Sequence, residues 1–142
     1  MKMNLLLLIG TMFAPVGAAA YGVGLMVHLM MSGVFGLAHG ALLESAGVSS
    51  IGAGVGYGAL FGLMHGLAAG AALGMMPMVH PRLKSRAALT PALAGGPGRP
   101  DEELLEAPGF FGLNYPLMTT MGFFALHVMF GVIVGMVYGA WA

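Results

Sequence analysis

The feature that most constrains this chain is the placement of its charge. After Lys2 no charged side chain occurs until Glu44, and the next is Arg82. Arg82, Lys84, Arg86, Arg99, Asp101, Glu102, Glu103 and Glu106 then fall in one segment, and none follows. Three uncharged stretches result, roughly 3–43, 45–79 and 108–142, each longer than the ~20 residues that cross a hydrocarbon layer. The pattern predicts an all-α integral membrane bundle of three transmembrane helices, at about 17–43, 50–76 and 116–141. A loop at 77–115 joins the last two.

Composition excludes the main alternative. Only 7% of the 142 residues are charged and 58% are hydrophobic, whereas a soluble domain carries about 25% charged residues. A chain this small cannot cover a water-facing surface with so few charges. The absence of cysteine excludes disulfides, thiolate metal sites and cysteine nucleophiles. Zero net charge gives no sign of a nucleic-acid partner.

Local signals support the boundaries. Glu44 to Ser50 reads as a short hairpin, and Ser49 or Ser50 is suited to cap the second helix. Pro77 and Pro81 end that helix, and Asn114-Tyr115-Pro116 opens the third with proline in its first turn. Tyr138 and Trp141 suit an interfacial anchor. Lys2, Leu5 to Ile9 and Ala18-Ala19-Ala20 read partly as a cleavable signal peptide, but the apolar run continues past Ala20. Pro15-Val16-Gly17 is expected to break it, leaving residues 3–14 as an interfacial or kinked extension. Three crossings put the amino terminus and the 77–115 loop on one side, together with all five Lys and Arg residues. By the positive-inside rule that side is cytoplasmic, with the carboxy terminus outside, as in a multi-pass protein of the inner (cytoplasmic) membrane. Within the loop, 94–100 reads as flexible, and Asp101 is placed to cap a short helix through Glu106. Arg82, Lys84 and Arg86 either set topology or meet anionic headgroups.

The helices carry rows of small residues. Gly54, Gly58, Gly62, Gly66, Gly70 and Gly74 recur every four residues. The first helix has Ala20, Gly24, His28, Ser32, Gly36 and Gly40; the third has His127, Gly131, Gly135 and Gly139. Lipid supplies little hydrophobic drive between helices, so association rests on the close backbone approach that small residues allow. Glycine-zipper packing is therefore expected, against copies of the chain or other membrane subunits. There is also an internal echo: Phe35-Gly36-Leu37-Ala38-His39-Gly40 matches Phe61-Gly62-Leu63-Met64-His65-Gly66, and Phe123 stands four before His127.

Counting from the outer helix ends, His28, His65 and His127 each lie 15 residues in, a shared depth of ~22 Å at 1.5 Å per residue. His39 falls nearer the outer face. Met31, Met64 and Met129 accompany the layer. Intramembrane ionisable residues are functional candidates by default. Several readings stay open: neutral histidines hydrogen-bonded to Ser32, Tyr57 or backbone carbonyls; haem on an imidazole pair such as His28 and His127; copper on imidazole and thioether ligands; or a proton relay. Catalytic machinery is absent from the sequence: no carboxylate lies inside a helix, and no phosphate loop, dinucleotide fingerprint or serine-nucleophile motif occurs in context.

His28 followed by Ser32-Gly33-Val34-Phe35-Gly36, the Met76-Pro77 helix end, Pro108-Gly109-Phe110-Phe111-Gly112, and the run from His127 to Gly135 resemble small bacterial and archaeal membrane proteins of unassigned function. The resemblance implies a three- or four-helix bundle in which His28 and His127 matter. The resemblance supplies no activity; the glycine rows, which predict membrane partners, give the expectation of a non-enzymatic accessory subunit of a larger membrane complex, of respiratory or oxidase type. The alternative is a haem- or copper-binding protein using His28, His65 and His127.

Overall fold

The computed structural model describes residues 3–84 and 105–142. A short helix α1 (Leu5–Gly10) precedes α2 (Ala18–Ser45), α3 (Ile51–Met75) and α4 (Leu117–Trp141). The fold is all-α, and three helices are long and apolar enough to cross a membrane. The boundaries differ from the expected ones by a residue or two. Ser50 caps α3, its Oγ accepting from the Ala53 N–H at 3.3 Å. Pro77 turns the end of α3 into a single 3-10 turn, Met76–Met78. The break at 15–17 is present, and Gly17 sits at φ 149°, a conformation glycine adopts without strain.

The helix expected from Asp101 to Glu106 is corrected at its carboxy end. Leu105 and Glu106 form a two-residue strand β2, pairing in parallel with β1 (Leu83–Lys84). That ladder ties the end of the α3 segment to the start of the α4 segment. The rest of the expected helix, the 94–100 stretch, Arg86 and Arg99 lie outside the described residues.

Contacts concentrate between α3 and α4, which run antiparallel. A Cβ added at Gly58 would stand 2.9 Å from the Gly131 carbonyl carbon and 3.2 Å from the Gly135 Cα. One at Gly62 would stand 2.9 Å from the Val128 Cα, and Gly54 meets the Gly135 carbonyl in the same way. Lower on the row the neighbours change. Gly70 and Gly74 receive the rings of Phe111 and Phe110, from a turn in which Gly109 adopts φ 70° and Phe111 φ 58°. The α3 row, expected to face partners, is thus occupied within the chain from Gly54 to Gly74.

The same close approach occurs where α1 folds back along α2. A Cβ at Gly24 would lie 2.7 Å from the Leu6 carbonyl carbon and 3.1 Å from the Gly10 nitrogen. The remaining α2 row behaves differently: Gly40 has nothing within 4 Å of an added Cβ, and Gly36 has only the tip of Phe130 at 4.0 Å. The buried apolar cluster gathers at one end, where Leu8, Leu73, Leu83 and Phe123 meet.

Candidate functional site

The three echoed Phe-x-x-x-His segments converge. His39 comes from α2, His65 from α3 and His127 from α4. Ring centroids are 5.4 Å apart for His39 and His65 and 4.8 Å for His65 and His127, the latter edge to face. Phenylalanines surround them: Phe35 at 4.0 Å from the His65 ring, Phe123 at 4.3 Å from His127, and Phe130 at 5.4 Å from His39. Gly66 makes room for this contact, since a Cβ there would stand 3.2 Å from the His127 Cβ.

Two of the rings have a fixed orientation. His39 Nδ1 lies 2.8 Å from the Phe35 carbonyl and His127 Nδ1 lies 2.7 Å from the Phe123 carbonyl. A carbonyl only accepts, so each Nδ1 carries the proton and each Nε2 presents a lone pair. His39 Nε2 and His65 Nδ1 are buried and have no partner. Unsatisfied buried nitrogens are uncommon in a folded protein and mark a place to look for a ligand.

The depth count is corrected here. The structure joins His65 and His127 to His39, whereas no ring contact among the described residues links His28 to either. The count assumed level, parallel helices. His65, 14 residues into α3, instead meets Phe35 and His39, which lie ten and six residues before the end of α2. This is an offset of about 6–12 Å. His28 is half-buried, and its carbonyl accepts from the Ser32 hydroxyl at 2.8 Å. The accompanying thioethers are not part of the node either: Met31, Met64 and Met129 are 42%, 56% and 51% exposed, on the outside of the bundle.

The geometry narrows the chemistry. His65 and His127 touch directly and the flanks are filled by Phe35, Phe123 and Phe130, so no flat slot for a macrocycle opens between imidazoles. Among the described residues, no group of three or more His, Asp or Glu side chains converges as a metal-holding set. Among the described residues, no carboxylate stands beside the node to share acid–base work.

A second polar cluster went unforeseen. Thr11, His80 and Arg82 meet where the end of α1 touches the chain leaving α3. Thr11 and His80 are 0% and 4% exposed, and the separation of about 70 residues hides the pairing from any local pattern. A third feature is a shallow apolar groove of about 240 Å³ on α3, lined by Ala53, Gly56, Tyr57 and Leu60. Beside it, Gly52 and Gly56 have nothing within 4 Å of an added Cβ.

Comparison of the chain with protein-family models, curated proteins and solved structures finds no match.

Proposed function

We propose that this protein is a non-enzymatic, multi-pass subunit of a larger complex in the cytoplasmic membrane. Its amino terminus and the 77–115 loop face the cytoplasm, and it docks a transmembrane helix of a partner subunit along α3. The observation that carries this reading is the contrast between two sets of glycines on one helix. Gly54, Gly58 and Gly62 admit α4, whereas Gly56 lines a shallow apolar depression that no part of the described chain fills, and Gly52 has nothing within 4 Å of an added Cβ. A glycine facing acyl chains gains nothing from the missing side chain, whereas one facing another helix allows close packing. Tyr57, 43% exposed, adds an amphipathic ring at the groove. The test is native mass in mild detergent. Gly56→Leu is expected to release the chain from its complex while leaving helicity and thermal stability intact. A Gly56→Leu chain that stays at the wild-type native mass contradicts the reading.

The histidine node supports a second reading, copper or another imidazole-seeking transition ion held by His39 and His65 as a pair, since no set of three ligands converges among the described residues. The two partnerless nitrogens support it, together with the carbonyl-anchored tautomers of His39 and His127, an arrangement common in metal-binding histidines. Haem has no such support from the packing. Metal analysis with an absorption spectrum tests both. Stoichiometric copper lost on His39→Phe favours the site, and a metal-free preparation removes it.

A further inference from the structure

We propose that His39 and His65 form a two-coordinate site that selects a monovalent soft ion, copper(I) or silver(I), over any divalent one. The proposal rests on the transition-ion reading of the histidine node and adds the charge and coordination number of the ion. Two nitrogens carry it. His39 Nδ1 donates to the Phe35 carbonyl at 2.8 Å, so His39 Nε2 holds a lone pair. His65 Nδ1 has no hydrogen-bond partner. Buried N–H groups left without an acceptor are rarer than acceptors left without a donor, which assigns His65 the Nε2–H form with the lone pair on Nδ1. Both nitrogens are buried, His39 is only 3% exposed, and the two ring centroids stand 5.4 Å apart. With metal–nitrogen bonds of about 2.0 Å, an ion between two imidazoles separates the ring centres by roughly 6 Å when linear and by less when bent. The observed spacing suits such a bridge with little movement of either helix.

Coordination number gives the first selection. Zinc takes four ligands in a tetrahedron and copper(II) a square-planar or tetragonal set. The described residues bring no third His, Asp or Glu to this pair. Water does not complete the shell, because neither nitrogen is reached from outside. A filled-shell monovalent ion has no such need and accepts two nitrogens end to end. Phe35 stands 4.0 Å from the His65 ring, and Phe130 stands 5.4 Å from His39 and 6.1 Å from His65; such rings attract a cation through their faces. Phe35 is 36% exposed, so its side of the node is where an ion enters.

Charge gives the second selection. The cost of removing an ion from water grows with the square of its charge, so a divalent ion pays about four times as much as a monovalent one. Little is available to offset it: the one acidic side chain on α2, α3 or α4 is Glu44, exposed in the last turn of α2. His127 is a positioning residue here, its ring meeting His65 edge to face at 4.8 Å.

The full-length protein in mild detergent, with ascorbate present, is titrated with copper(I) against bicinchoninate, and with silver(I) and zinc(II) by equilibrium dialysis. One copper(I) or silver(I) per chain is expected, bound at least about a hundredfold more tightly than zinc(II). His39→Phe and His65→Phe should each weaken it by more than about a hundredfold, beyond what loss of a supporting group costs, and His127→Phe by about tenfold at most. The 14 methionines bind soft ions weakly, and the double variant His39→Phe/His65→Phe measures that background. An equal loss with His127→Phe overturns the two-coordinate assignment. Zinc(II) held as tightly as silver(I), and lost with His39, overturns the selectivity while leaving the transition-ion site standing. Uptake of all three ions that is indifferent to His39 and His65 overturns both. Should the variants fail to fold, X-ray absorption of the silver-loaded wild type decides: two nitrogens and no sulfur around the ion are expected, and a third nitrogen or any sulfur overturns the proposal.

Discussion

The α3–α4 contact makes a prediction that two neighbouring glycines can decide. Gly58→Ala and Gly56→Ala alter the same helix two residues apart and gain the same helix propensity over glycine, about 1 kcal/mol. That gain cancels when the two variants are compared, leaving the environment. At position 56 the new methyl meets nothing within 4 Å. At position 58 it meets the Gly131 carbonyl, with the carbonyl carbon at 2.9 Å and the Gly135 Cα at 3.2 Å, against 3.4 Å or more in ordinary contact. The helices must separate by at least half an ångström, and a radial gap of 0.5–1 Å forfeits roughly a quarter to a half of each dispersion well along the seam. Overpacking of this kind costs about 1–3 kcal/mol. Gly58→Ala should therefore be less stable than Gly56→Ala by about that amount. Unfolding in mixed micelles, followed by Trp141 fluorescence, measures the difference. Equal midpoints would show that the seam is not held by backbone approach, and the packing argument would fail.

Three further outcomes follow from the ends of the bundle. Asn114 Nδ2 donates to the Ala107 carbonyl at 2.9 Å, so Asn114→Ala should lower stability by about 1 kcal/mol, read in the same titration. Gly109→Ala should cost more than an exposed glycine substitution, since its φ is 70° and its Cβ would lie 2.9 Å from the Asn114 Cγ. Burial, and then the nearby Glu106 carboxylate, push the Tyr115 phenol above its ordinary range. Tyr115 should consequently ionise late in an alkaline absorbance titration. Stability should fall as pH rises past about 10, where the unfolded phenol loses its proton first; Tyr115→Phe should remove that part of the fall.

The spans, the break at Pro15–Gly17, the Ser50 cap and the proline stop at Pro77 are legible because each depends on residues close in sequence. The seam is half legible. A four-residue glycine row announces a close neighbour, but not that α4 and the Phe110–Phe111 turn are that neighbour. The histidine node shows a sharper limit. Depth counting selected His28 because it treats helices as level rods, and the register of α2 against α3 puts His39 in the node instead. The recurring Phe-x-x-x-His spacing carried the better signal, since the phenylalanine one turn earlier supplies the carbonyl that orients His39 and His127. Nothing local marks Thr11 and His80 as partners, because their contact depends on α1 folding back over the end of α3. The β1–β2 ladder is equally hidden, being two residues long and formed across the 77–115 segment.

Site-specific photo-crosslinking in intact membranes decides whether a partner's helix lies on α3 at the shallow depression beside Gly56 and Tyr57. A photoreactive phenylalanine replacing Tyr57 should give one discrete adduct with another membrane subunit, and Gly56→Leu should abolish it. The same probe at Met129, 51% exposed on α4, should give none. Adducts of equal yield at both positions, or only lipid adducts at Tyr57, would contradict the account.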